Sequence, residues 1–162
     1  MAYVALGSNL GDPTANVLRA IARLEKLSAA PLLKSSLWQT APVDCPPGSP
    51  VFVNAVAGLR PHPGETPESL LNKLQGIEKE FGRPPKKIQN EPRPLDLDLI
   101  AFANETRQSV GLMLPHPRTC ERRFVLQPLV EIAPGLVLPG QTLTVRALLD
   151  ALPQDNSMRR VL

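Results

Sequence analysis

The sequence predicts an α+β fold built around an antiparallel sheet. Its 162 residues, 43% of them hydrophobic, are enough for one domain with a sizeable core, which we place at residues 1–162. Short apolar runs at strand spacing alternate with two segments at helical spacing, in the order β-α-β-β-α-β. This order is that of a ferredoxin-like sandwich, in which helices cover one face of an antiparallel sheet. The remaining residues predict a C-terminal extension of helix and strand.

The first half of the chain contains three of the four strands in the predicted β-α-β-β-α-β core. Asp12 followed by Pro13 begins the first helix, because Asp is a favoured N-cap and Pro suits the first helical position. A proline-rich loop, residues 40–50, joins the second strand to the third. In order, the elements are predicted at residues 2–6 (strand), 12–28 (helix), 33–39 (strand) and 51–59 (strand).

The second half begins with a helix of the same kind. Thr66 and Pro67 start it, and Gly82 occupies the position of a C-terminal helix cap. Its apolar face comprises Leu70, Leu74, Ile77 and Phe81. The later elements are predicted as a strand at 95–103, a short helix at 120–128, a brief strand at 136–138, a last helix at 144–152 and a frayed tail.

Two carboxylates lie on one face of the fourth predicted strand. Leu and Asp alternate over residues 93–100 (RPLDLDLI), so Asp96 and Asp98 point to the same side, about 6.6 Å apart between Cα atoms. Paired carboxylates repel each other unless a cation lies between them, and hard oxygen ligands favour Mg²⁺ shared with phosphate oxygens. A strand with one solvated face is the alternative. Because Asp is depleted in strands, the pair favours a site for two metal ions in phosphoryl transfer.

Charge and composition exclude several classes of function. The net charge of +3, from 18 basic and 15 acidic residues, is too small to indicate nucleic-acid binding, and one Trp, one Tyr and four Phe make a poor base-stacking surface. No stretch approaches the roughly 18 apolar residues of a membrane span. The N-terminus lacks the basic region of a signal peptide, and Cys45 and Cys120 lack CxxC spacing. We therefore expect a cytoplasmic protein that binds small molecules.

Several other residues could carry chemistry. The turn at residues 7–11 (GSNLG) lacks the Lys of a P-loop, so it is interpreted as a simple turn. With only two histidines, the sequence contains no recognisable Ser/His/Asp triad. His116 lies close to Arg118 and Arg122 in the sequence and is a candidate ligand contact. Asn54 interrupts an apolar strand; it is either a satisfied edge residue or a reader of a heterocycle between aromatic walls.

In three motifs the chain resembles the 6-hydroxymethyl-7,8-dihydropterin pyrophosphokinases. They are residues 5–11 (ALGSNLG), residues 93–100 (RPLDLDLI), and residues 114–118 (LPHPR) with 122–129 (RRFVLQPL). The resemblance covers nearly the whole chain in the right order. It implies a monomeric diphosphotransferase of folate synthesis that moves pyrophosphate from ATP to the pterin and releases AMP, with two Mg²⁺ ions.

The resemblance also implies roles for individual residues. Asp96 and Asp98 would bind the metal ions, and Arg83 and Arg93 would join them as catalytic residues. The residues implied at ATP are Gln75, Glu78, Arg93, Leu99, His116 and Arg122. The residues implied at the pterin are Thr40, Pro42, Val43, Phe52, Asn54 and Phe124. Residues 83–94 would close over the phosphates with Lys86 and Lys87, although Pro85 and Asn90 stand where the family usually has Arg and Trp.

Two other functions compete with this interpretation. A phosphatase with an Asp-x-Asp nucleophile would place the motif at the end of a strand in a parallel sheet, whereas here residues 99–102 (LIAF) continue the strand. Basic residues flank the carboxylate pair in two clusters, Arg83, Lys86, Lys87 and Arg93 before it and Arg118, Arg122 and Arg123 after it, as expected for a polyphosphate bound with its metal. A non-catalytic ligand-sensing module of ferredoxin-like fold would need neither the carboxylate pair nor these basic clusters. Metal-dependent release of AMP from ATP and pterin would separate all three.

Overall fold

The computed structural model describes residues 1–42, 46–82 and 92–162, which form a mixed sheet-and-helix structure. The elements are, in chain order, β1 (Ala2–Ser8), α1 (Pro13–Glu25), β2 (Leu33–Lys34), β3 (Trp38–Thr40), β4 (Phe52–Leu59), α2 (Pro67–Glu80), β5 (Asp96–Phe102), β6 (Arg107–Gln108), β7 (Met113–Leu114), a 3₁₀ turn (Thr119–Glu121), α3 (Arg123–Ile132), α4 (Val145–Asp150) and β8 (Arg159–Arg160). The α+β prediction is confirmed.

The main sheet is antiparallel and has the strand order β5-β1-β4-β3-β8, with β2 also paired to β4. The four strands predicted for the β-α-β-β-α-β core therefore lie in one sheet. β1 and β4 are almost wholly buried, because each is paired on both sides, covered on one face and partly covered on the other. β1 ends, and β4 and β5 begin, at the same end of this sheet.

Two helices pack on one face of the sheet, and both begin at the predicted caps. The side chain of Asp12 accepts a hydrogen bond from the Ala15 N–H, and Thr66 and Ser69 form a reciprocal capping box. The apolar stripes of both helices meet alternate residues of β1, β4 and β5. The side chains fully buried in this layer include Val4, Leu6, Val17, Leu24, Leu59, Leu70 and Leu74.

The opposite face is covered along only part of its length. There α3 and α4 pack on Tyr3, Val56 and Ile100 in a second, smaller core. The register between β1 and β5 shifts beside Leu99, which leaves Ile100 as an extra residue. Towards the starts of β4 and β5 the covering helices end, and this face of the sheet opens into a cavity.

Four details of the sequence prediction are wrong. The second strand divides into β2 and β3, because the Ser35 hydroxyl accepts the Val56 N–H in place of a strand carbonyl. The short helix at 120–128 is instead a 3₁₀ turn followed by α3. No strand forms at 136–138 in the described chain, where Leu138 is buried within a turn-rich segment. The tail is not frayed, since Arg159 and Arg160 form β8 against β3.

No helix among the described residues is both long and apolar enough to cross a membrane.

Candidate active site

The open end of the sheet holds a cavity of about 320 Å³. Its floor is formed by β1, β4 and β5, and its rim by the end of β3, the 3₁₀ turn and the start of α3. The residues that line it are Ala5, Leu6, Gly7, Thr40, Ala41, Phe52, Asn54, Arg93, Asp96, Asp98, Arg118, Glu121, Arg122, Phe124 and Val125. Charged residues from β5 and the 3₁₀ turn thus share one cavity with two aromatic rings.

Strand register places a carboxylate and an amide at opposite sides of the cavity floor. Gly7 of β1 lies opposite Asp96 of β5 on one side and opposite Asn54 of β4 on the other. Directly opposed residues of paired strands point to the same face of a sheet. Asp96 and Asn54 therefore stand on one face, about 9.5 Å apart at two strand spacings.

Asp96 and Asp98 both point into the cavity, as their alternation with leucines predicts. Between them, Leu97 points into the core under α1 and α2. The Leu97 N–H at the outer edge of β5 donates a hydrogen bond of 2.8 Å to Glu78 Oε2 of α2. Glu78 thus fixes the strand from which both carboxylates project.

Arg93 is a buried cation beside the carboxylate pair, with 8% of its surface exposed. Its Nη1 lies 3.5 Å from Asp96 Oδ2, and its guanidinium carbon lies 5.8 Å from the centre of the Phe52 ring. The Arg93 Nε is buried without a hydrogen-bond partner among the described residues. A buried donor of this kind is costly unless a ligand completes it, so Arg93 is suited to bind an anion at the carboxylate side.

Asn54 forms the other side of the cavity and is 7% exposed. Its Nδ2 donates a 2.7 Å hydrogen bond to Thr40 Oγ1. A Cβ atom on Gly7 would lie 3.0 Å from Asn54 Oδ1, so glycine at this position gives the amide its room. Phe52 and Phe124 provide apolar walls. An amide between two rings can read the edge of a flat heterocycle while the rings contact its faces.

Three charged residues line the rim. Arg118 precedes the 3₁₀ turn, Glu121 ends it and Arg122 leads into α3. The Arg122 guanidinium carbon lies 5.4 Å from the centre of the Phe124 ring. With Arg93, the rim arginines give the cavity a cationic wall in addition to its two aspartates, which suits an anionic ligand that brings its own cation.

His116 lies near this wall but does not line the cavity. Burial lowers the pKa of His116, and the nearby Arg122 charge lowers it further, while Asp96 acts in the opposite direction. Its Nδ1 accepts a hydrogen bond of 3.3 Å from the Arg118 N–H. A neutral ring with Nδ1 as acceptor carries its proton on Nε2, which leaves Nε2 as a hydrogen-bond donor.

The structure does not bring every candidate residue to the cavity. Gln75 is exposed on α2, Pro42 lies just past the lining residue Ala41, and the Leu99 side chain is buried in the core. Arg83, Lys86, Lys87 and Val43 lie outside the described residues, as do Pro85 and Asn90. Sequence reasoning did not place Gly7, Ala41 or Glu121 at the site. The Gly7 position could have been found from its place in the first motif.

Comparison with known proteins shows which family the chain is similar to. Residues 3–134 match the family model described as 7,8-dihydro-6-hydroxymethylpterin-pyrophosphokinase. A 2-amino-4-hydroxy-6-hydroxymethyldihydropteridine pyrophosphokinase of Haemophilus influenzae is 41% identical over 140 residues, which cover 86% of this chain and 85% of that protein.

Longer proteins also match. The folic acid synthesis protein fol1 of Pneumocystis carinii is 37% identical over 160 residues, so this chain spans only about a fifth (21%) of fol1. A crystal structure of Plasmodium falciparum HPPK-DHPS with pteroate superposes with a TM-score of 0.70 at 14% identity, over 92% of this chain and 41% of that one, which shows a shared fold. The match over residues 3–134 and the Haemophilus relative establish that the chain belongs to the 7,8-dihydro-6-hydroxymethylpterin-pyrophosphokinase family.

Proposed function

We propose that this chain transfers the terminal pyrophosphoryl group of ATP to 6-hydroxymethyl-7,8-dihydropterin in the cavity described above, and so serves folate synthesis. The hydroxymethyl oxygen would bond to the β-phosphorus, the bond from that phosphorus to the AMP oxygen would break, and the hydroxyl proton would be released. The observation that carries the proposal is the row Asp96–Gly7–Asn54, in which a carboxylate suited to a metal-bound phosphate and an amide suited to a heterocycle share one cavity floor.

Asp96 and Asp98 are the residues that would hold two Mg²⁺ ions. Their carboxylate oxygens are hard ligands on one face of a rigid strand. Among the residues that the structure describes, no group of three or more His, Cys, Asp or Glu could hold a metal. The remaining ligands would be phosphate oxygens and water, which is how Mg²⁺ is usually bound. When bound, the ions would neutralise the phosphates and stabilise charge at the attacked phosphorus.

The arginines would hold the triphosphate beside the aspartates. Arg93 has a buried Nε without a hydrogen-bond partner in the described part of the chain, and Arg122 lies on the cavity rim. Charge-assisted hydrogen bonds from a planar guanidinium suit phosphate oxygens, and they are strongest in a site with little water. A neutral His116 would add a donor at Nε2 without adding charge. Positioning and charge neutralisation are the main requirements of phosphoryl transfer.

The heterocycle would bind at the Asn54 end of the cavity. The amide of Asn54, oriented by Thr40, would read the edge of the pterin, and Phe52 and Phe124 would enclose its faces. The hydroxymethyl group would then point along the floor towards Asp96. Such an arrangement brings the nucleophile and the phosphorus into proximity, which can lower a barrier substantially.

The chain would act as a cytoplasmic monomer on these two small molecules, without nucleic acid or membrane. The small net charge of +3 and the few aromatic residues support small-molecule substrates rather than nucleic acid. The Asp-x-Asp phosphatase is disfavoured, because both aspartates lie within β5, an antiparallel strand, and not at the end of a parallel one.

The test is an assay of purified protein with ATP, pterin and Mg²⁺. We expect equal amounts of AMP and pterin pyrophosphate, and none without metal. Release of inorganic phosphate without AMP would support the phosphatase. Pterin binding without any AMP would support a ligand-sensing module. Either result would overturn the proposal.

A further inference from the structure

A C-terminal segment covers the edge of the short strand that leads to the heterocycle end of the cavity. In β8, Arg160 pairs with Trp38 and Arg159 pairs with Gln39. The Leu37 N–H donates to the carbonyl of Leu162 at 3.1 Å, and its own carbonyl accepts from the Val161 N–H at 2.8 Å. β8 lies beyond residues 3–134, the part of the chain that matches the family model.

One carboxylate of α3 joins this segment to β3. Glu131 Oε1 accepts a 2.7 Å hydrogen bond from the Trp38 indole N–H, and Glu131 Oε2 accepts a 2.7 Å bond from the Ser36 hydroxyl. Arg160 Nη2 lies 3.8 Å from Glu131 Oε2, and the Arg160 guanidinium carbon lies 5.5 Å from the centre of the Trp38 ring. The indole is thus held at its edge by Glu131 and at its face by Arg160.

The same strand positions the amide of the cavity floor. Trp38 is the register partner of Asn54, and Thr40, two residues later on the same face of β3, accepts the hydrogen bond from Asn54 Nδ2. β3 contains only three residues. A strand this short is weakly defined by pairing along one edge alone, so the β8 pairing on its other edge fixes where Thr40 lies.

We propose that β8 is a positioning element for the pterin end of the cavity, and that Arg160 and Trp38 are positioning residues. Their contacts hold β3 in place, β3 holds Thr40, and Thr40 orients the Asn54 amide. Neither residue lines the cavity, so they act through Asn54 and not on the substrate itself. This inference rests on the proposed function, because it takes the Asn54 end to be the pterin site.

The selective test reverses the charge at Arg160. In R160E a carboxylate would face Glu131, and their repulsion would displace β8. The matched control is R159E, one residue earlier on the same strand, and the rescue is R160K, which keeps the positive charge. We expect R160E to raise the KM for pterin about threefold to tenfold, the worth of one hydrogen bond, with the KM for ATP unchanged.

Fluorescence gives a second, independent readout. Trp38 is the one tryptophan in the chain, so its emission reports directly on the cluster. We expect the emission of R160E to shift to longer wavelength and to be quenched more strongly by acrylamide, because the indole loses its cover. R159E should match the unchanged chain in both emission and KM, and R160K, which keeps the charge but not the planar guanidinium, should lie between the unchanged chain and R160E.

Three results would overturn the inference. They are an emission shift in R160E with an unchanged KM for pterin, an equal rise in KM for both substrates, and equal effects of R160E and R159E. If R160E does not fold, R160A provides the same comparison without repulsion. Absence of AMP release and of pterin binding in the unchanged chain would instead reject the proposed function, and with it the identification of the Asn54 end.

Discussion

Asn9 forms two hydrogen bonds with the main chain of Arg93. The Asn9 N–H donates to the Arg93 carbonyl at 3.2 Å, and Asn9 Oδ1 accepts from the Arg93 N–H at 2.8 Å. Asn9 is 1% exposed and lies in the turn after β1. The turn therefore fixes the segment that leads into β5, and with it the guanidinium beside Asp96.

Replacing this amide should affect both stability and catalysis. In N9A the buried Arg93 N–H loses its acceptor, which should lower the free energy of unfolding by about 1–3 kcal/mol. Turnover should fall as well, because Arg93 is no longer held in place. Urea unfolding and AMP release measure the two effects. N72A, at an exposed position of α2, is the control, and an N9A protein as stable and active as N72A would contradict the interpretation.

Removing either carboxylate of the pair should abolish turnover. D96N and D98N keep the shape of the side chain but lose the charge that would hold Mg²⁺. Because metal stabilisation of transition-state charge is worth several kcal/mol, we expect turnover to fall on the order of a thousandfold. The exposed Asp150 of α4 supplies the control D150N. Near-normal turnover of either variant at saturating Mg²⁺ would exclude the two-metal assignment.

Local pattern was enough to predict most of the fold and part of the site. The caps at Asp12 and Thr66 and the alternation around Asp96 depend on neighbouring residues, and all three are seen in the structure. β8 depends on a distant partner: residues 159 and 160 are both arginines and carry no strand periodicity. They form a strand because their main chain pairs with the open edge of β3 and the Arg160 guanidinium packs on the face of the Trp38 ring.

The cavity residues also divide into those that a local sequence pattern indicates and those that only the tertiary structure reveals. Asp96, Asn54 and Phe52 stand out as polar or aromatic exceptions within strands, so the sequence indicates them. The role of Gly7 depends on how closely β1 approaches the Asn54 side chain, which no local pattern contains. Arg118 and Glu121 line the cavity only because the 3₁₀ turn carries them to its rim.

Removing the arginines should weaken the use of ATP more than the binding of pterin. R93A and R122A each remove a guanidinium from the cationic wall, so the KM for ATP should rise while calorimetry shows little change in pterin affinity. R122K should recover only part of the loss, because an ammonium lacks the planar fork of a guanidinium. R60A, at an exposed position, is the control. A collapse of pterin affinity in R93A would mean that Arg93 acts on the other substrate.

His116 should make the folded protein less stable in mild acid. Burial lowers the pKa of His116 below its ordinary value of 6.5. Between the two pKa values the unfolded chain binds more protons, so the free energy of unfolding decreases as pH falls below 6.5. H116Q removes this contribution. Urea unfolding without metal, from about pH 7.5 to about pH 5.5, should therefore show a smaller loss of stability in H116Q.

The control for this comparison is H62Q, in the exposed loop before α2. It retains the His116 contribution, so it should lose more stability than H116Q as the pH falls. If H116Q loses as much stability as H62Q over the same pH range, His116 is not the group responsible.

Adding one methyl group at Gly7 should impair the pterin site selectively. A Cβ atom there would lie 3.0 Å from Asn54 Oδ1 and 3.8 Å from Phe52, so the Asn54 amide must turn or move away. G7A should raise the KM for pterin more than the KM for ATP. The control is G76A in α2, where a Cβ atom would have nothing within 4 Å beyond its chain neighbours and the backbone of its own helix. Since alanine is the better helix former, G76A should be more stable by about 0.5–1 kcal/mol and fully active. A G7A protein with unchanged pterin binding would show that the position of the Asn54 amide does not determine recognition.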